Sequence, residues 1–202
     1  MVDGALAGLP RLVRLVDECR WRGATSIGTA IAVTGWWVAS WLLEQPVEPV
    51  RAAISAAAVL LPTLALAVPA ARRRAAAAAK EALPVPRGCV YETRASVRDR
   101  RRRLAAIVVT GVLALIVFDI VIGQAGVMAG LLAGLLAGTG IADRVEARTW
   151  TRAEAARGTR LFALIRHDAL TVGFGPLRVV EDEAPLSHDP VEGAPSPFDL
   201  EV

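Results

Sequence analysis

Apolar positions in this chain gather in four long runs separated by short polar or charged stretches, instead of recurring every three or four residues throughout. The runs cover residues 24–43, 52–71, 104–122 and 125–141. Each is close to the roughly 20 residues that carry a helix across about 30 Å of hydrocarbon. They predict an all-α integral membrane protein with four transmembrane helices. The connections between runs one and two (EQPVEPV) and between runs three and four (Gly123-Gln124-Ala125) are short, so the helices should pair as two antiparallel hairpins.

The fourth run has an internal order that the others lack. Gly126, Gly130, Gly134 and Gly138 recur every four residues, with Ala129, Ala133 and Ala137 between them. At about 100° per residue these seven small residues occupy roughly half of a helix circumference. Met128, Leu131, Leu132, Leu135 and Leu136 fill the other half. In water each interior glycine would cost about 1 kcal/mol relative to alanine. In lipid the same bare face lets another helix come close, and close packing is what drives association there. The face can serve within the chain or between chains. The short turn before it makes the bulky Val/Ile/Leu-rich third run its nearest expected partner.

Outside the runs the pattern changes. Residues 1–23 alternate Leu and Val with Arg, Asp and Glu in a way that predicts a short amphipathic helix at the membrane surface. The first run begins too far from Met1, and is too long, for a usual signal peptide, so retention is expected. Trp36, Trp37 and Trp41 cluster at its far end, while Trp21 and Trp150 flank other boundaries, so all five tryptophans are expected as interfacial anchors. Pro62 should kink the second helix. Residues 72–80 have high helix propensity and should carry that helix out of the membrane until Pro84. Ser96 and Asp99 resemble a capping box opening a helix into the third run. The two extensions would then stand side by side as a basic stalk. Beyond Ile141 a mixed-charge helical segment leads to a second interfacial helix at 159–170. From Glu181 onward the tail is acidic and proline-rich and is expected to be disordered.

Composition agrees with a membrane assignment. Of 202 residues, 54% are hydrophobic, and the mean hydropathy is +0.45, above what a soluble domain carries. Charge then fixes orientation. Residues 72–103 hold 11 of the 23 basic residues, and Arg11, Arg14, Arg20, Arg22, Arg144, Arg148 and Arg152 flank the same predicted side. The other side offers only Arg51. By the positive-inside rule both termini and the large loop are cytoplasmic, in a multi-pass protein of the cell membrane. Cys19 and Cys89 then fall on the reducing side and should be free thiols.

Candidate chemistry is sparse. The sequence has no HExxH, GxSxG, Walker-type loop or CxxC pair, so no catalytic residue, metal site or cofactor is expected. His167 and His188 each precede an aspartate without partners at ligand spacing. Asp119 is the lone acid inside an apolar run: an ion site, or a cap for the exposed N–H groups that open the fourth helix. Arg72, Arg73 and Arg74, with Arg100, Arg101, Arg102 and Arg103, suit anionic lipid on the cytoplasmic side or an acidic protein segment. They lack the interleaved aromatics of a nucleic-acid surface. The expected function is a non-enzymatic scaffold or accessory subunit that pairs with a membrane protein or with itself. The alternative is a homo-oligomeric channel, holin-like pore or small transporter, for which the runs carry few polar residues.

Overall fold

The computed structural model describes residues 11–43, 48–86, 89–122, 126–165 and 179–182. The 123–125 turn, both histidines, the tail beyond 182 and the side chain of Asp119 lie outside the described residues. Among them the chain is mostly helical, with α1 (Leu15–Leu42), α2 (Pro49–Lys80), α3 (Arg94–Ile122) and α4 (Val127–Arg157). Two of these helices, α2 and α4, are long and apolar enough to cross a membrane.

Helix α4 is the centre of the bundle. Val33 of α1 packs against Ala129 and Ala133, and Arg22 meets Asp143 further along, so α1 runs antiparallel to α4. Ala52 lies beside Gly130, Thr63 beside Gly138 and Arg74 beside Glu146, so α2 runs parallel to it. The glycine face therefore closes on α2 and α1, not chiefly on α3 as the short connection suggests. The reason is steric. A methyl group added at Gly130 or Gly134 would meet the backbone of Ala52 or Ala56, and one at Gly138 would lie 2.7 Å from Thr63 Cγ2. Only small residues on both sides allow that approach. The branched side chains of α3 do not. At the head of this contact Ser55 Oγ donates to Val127 O at 3.2 Å. The α3 helix touches the core through Val112 and leaves Ile107, Leu113, Val117 and Val121 exposed, the last by 77%.

All-α is not the whole architecture. Strands β1 (Arg11–Arg14), β2 (Leu83–Pro84), β3 (Val90–Tyr91), β4 (Arg160–Ile165) and β5 (Val179–Asp182) form one five-stranded sheet in the order β2-β5-β4-β1-β3. The central pairs are antiparallel, Leu12 opposite Leu164 and Phe162 opposite Val180. The two-residue edge strands pair in parallel, and Pro84 sits at an edge, where its missing N–H is tolerated.

Three expected features are thereby corrected. Residues 11–14 are a strand, and α1 begins at Leu15. Residues 160–165 are a strand and not an interfacial helix. Glu181 and Asp182 are ordered in β5. The apolar run of β4 has no alternation because both of its faces are covered: Leu161 and Ala163 join one core cluster, Phe162 the other. Such a run looks the same in a buried strand as in a helix segment.

The sheet also fixes which ends lie together. Strand β1 precedes α1, β2 follows α2, β3 precedes α3 and β4 follows α4. The start of the chain, the middle loop and the segment after α4 therefore meet at one end of the bundle. There Leu15, Val16 and Cys19 of α1, Ala75 and Ala79 of α2 and Trp150 of α4 bury each other above Leu161 and Ala163.

Candidate functional site: the charged sheet end of the bundle

This end combines a small apolar core with buried charge. Glu18 is fully buried on α1, one turn from Leu15 and beside Cys19. Arg100 of α3 grips it with two hydrogen bonds, Nη1 to Oε1 at 2.8 Å and Nη2 to Oε2 at 3.0 Å. The same guanidinium donates to Glu92 at 3.2 and 3.0 Å. Ser96 donates to Glu92 at 3.2 Å and accepts from Arg11 of β1 at 2.8 Å. One connected network thus ties β1, α1 and the start of α3. Burial disfavours the Arg100 charge, but the hydrogen bonds to Glu18 and Glu92 outweigh it and raise the Arg100 pKa further above its usual range.

Two more buried glutamates repeat the device on α4. Glu146 accepts from Trp150 Nε1 and from Arg74, each at 3.3 Å. Glu154 accepts the backbone N–H of Leu161 at 3.1 Å and pairs with Arg14 at 3.5 Å, which anchors the first residues of β4 under the helix. Gly158, at φ 70°, turns the chain from α4 into that strand. Arg22 bridges Asp143 at 3.2 Å and approaches Cys19 Sγ at 3.6 Å. Burial, with the Glu146 charge adding to it, pushes the Cys19 thiol up to about 12. Cys19 and Cys89 are both free thiols.

The arginines singled out in the sequence divide into distinct roles. Arg72 and Arg73 are exposed on α2. Arg74 is tied to Glu146, Arg103 to Asp99 at 2.7 Å on the surface, and Arg102 is exposed. Arg100 is occupied in the buried network, so it cannot serve as the lipid or partner contact assigned to it. Arg101 stacks over Trp21, 5.2 Å from the ring centroid. No side-by-side basic stalk forms, because the α2 extension packs on α4 while the start of α3 packs on α1. The capping box is also corrected. Ser96 N–H donates to Thr93 Oγ1 at 3.3 Å, so Thr93 caps α3 and Asp99 pairs outward instead.

Trp150 is corrected too. It is fully buried against α1 and α2, where its Nε1–H has a carboxylate partner, and so it does not anchor at an interface. Trp36 and Trp41 are about half exposed near the far end of α1; Trp21 and Trp37 are partly covered. Of the seven small residues of α4, all but Ala137 are buried.

Glu18, Glu92, Glu146 and Glu154 were not singled out in the sequence. For Glu18 a signal existed: with Leu15, Cys19 and Arg22 it falls at one-turn spacing on the buried stripe of α1. A carboxylate there demands a partner. Nothing local says that the partner is 82 residues away.

Beside the network, a cleft of about 940 Å³ opens between α1, α3 and the sheet. Leu12 and Phe162 form part of its sheet wall, and Trp21, Thr25 and Ala105 form the part nearest the apolar runs. Tyr91 and Phe162 meet edge to face at 5.3 Å at the same wall. Seven arginines and only two carboxylates line it. Comparison with known protein families, curated proteins and solved structures returns no match to this chain.

Proposed function

We propose that this chain is a four-span protein of the cell membrane with both termini and the 72–103 loop in the cytoplasm. On this reading it acts without catalysis, as a scaffold or accessory subunit of a membrane complex. The convergence of the three polar segments on one sheet supports the shared side, and their arginine excess supports the cytoplasm as that side. The lack of any enzyme motif supports the absence of chemistry.

The observation that carries the scaffold reading is the contrast between α4 and α3. The small-residue face of α4 is filled by α1 and α2, whereas α3 is pinned at one end by Arg100 and presents Leu113, Val117 and Val121 outward. A partner helix is therefore proposed to pack on α3, and the basic cytoplasmic rim to meet anionic lipid or an acidic segment. A photo-crosslinking residue at Leu113 or Val117 tests this in intact membranes. A discrete adduct with another protein from α3, and none from Leu66 on the outer face of α2, is expected. Adducts only between copies of this chain would contradict it and favour the pore reading.

A further inference from the structure

The cleft beside the buried network has features that a scaffold alone does not require. Arg20 on α1 and Arg98 and Arg102 on α3 reach it, and among the described residues they form no ion pair. Arg14 and Arg101 also line it, each already held on one side, Arg14 by Asp17 at 3.6 Å and Glu154 at 3.5 Å and Arg101 by Glu18 at 3.8 Å. Guanidinium groups left without a carboxylate partner on the wall of one cationic cleft mark a place for an anion. Guanidinium forks fit phosphate oxygens in pairs. Five such groups exceed what one phosphate accepts comfortably and suit two.

The shape adds a second requirement. Apolar residues of the sheet share the lining with the arginines, and the cleft extends to Trp21, Thr25 and Ala105, where α1 and α3 pass into their apolar runs. A free inorganic anion has no use for an apolar wall beside its charge. An amphiphile does. The volume lies within the range that holds a small organic ligand. We propose that this cleft binds a membrane lipid whose headgroup carries two phosphates, with the phosphates held by Arg98, Arg101 and Arg102 from α3 and by Arg14 and Arg20 from the opposite wall. The lipid source rests on the membrane reading above; the anion chemistry does not.

The experiment uses the full chain, extracted in mild detergent and reconstituted in phosphatidylcholine nanodiscs. Cardiolipin, with two phosphates, is titrated against phosphatidylglycerol, with one, and inorganic pyrophosphate is added alone as the soluble counterpart. Arg98→Gln and Arg102→Gln each remove one cleft cation without touching the buried network, and the control pair Arg148→Gln and Arg152→Gln, exposed on α4, each remove one charge elsewhere. Cardiolipin is expected to bind at least about tenfold more tightly than phosphatidylglycerol, with each cleft variant losing about tenfold. The control pair should stay within about twofold of wild type. Equal losses in the control would reduce the effect to diffuse charge and overturn the site. Pyrophosphate binding as tightly as cardiolipin would overturn the lipid source. No lipid binding by a chain that stays in carbonate-washed membranes overturns the cleft alone, whereas release of the chain by carbonate overturns the membrane reading.

Discussion

Arg100 holds carboxylates from two separate stretches, and the energetics of such a group are asymmetric. Forming a buried ion pair gains little over an apolar core, but removing one member strands the other. Replacing Arg100 with methionine leaves Glu18, fully buried, with only the 3.8 Å contact to Arg101, and Glu92 without its guanidinium. We expect Arg100→Met to lose about 3–5 kcal/mol of stability in denaturant unfolding. Arg100→Lys should recover only part of it, since one ammonium cannot fork to two carboxylates. An unchanged unfolding midpoint would contradict the network. Cys19 supplies an independent test of the same core. Its thiol ionises from an ordinary value of 9.0 in the unfolded chain but at about 12 when buried. The folded state thus keeps a proton that the unfolded state loses, and stability falls as pH rises between those values. At pH 8.5, in a Cys89→Ser background, Cys19 should resist iodoacetamide in the folded protein and react once the chain is unfolded; rapid labelling of that folded variant would show the core to be open.

At the scale of elements, the small-residue stripe of α4 was legible in the sequence and its partner was not. The three-residue connection argued for α3, yet a bare helix face closes best on another small surface. Ala52, Ser55 and Ala56 supply one at helical spacing on α2. Glycine substitutions separate the cases by sign. Gly130→Ala and Gly134→Ala would drive a methyl group into the α2 backbone and should destabilise by about 1–3 kcal/mol. Gly28→Ala and Gly35→Ala meet nothing within 4 Å and should gain up to about 1 kcal/mol from helix propensity. Thermal unfolding of the four variants in one detergent reads this; a uniform shift would remove the packing account. The strands were less legible. Arg11–Arg14 is too short for its period to be distinguished from the helix it abuts. The unbroken apolar run of β4 is ambiguous by nature, and the strands gain their partners only across the whole length of the chain.

For the molecule as a whole, the long apolar runs and the charge asymmetry were readable because each is a local property of the sequence. The sheet was not, yet it is what gathers the chain start, the middle loop and the segment after α4 at one end. It also sets β1 and β3, which lead into α1 and α3, side by side at the cleft wall, where Arg100 of α3 reaches Glu18 of α1. In the proposed topology this end faces the cytoplasm while the α3–α4 connection faces away. Alkaline phosphatase fused after Gln124, compared with the same enzyme fused after Pro86, measures that directly. High phosphatase activity is expected from the fusion at 124 and background activity from the fusion at 86. Background activity at 124 would contradict it.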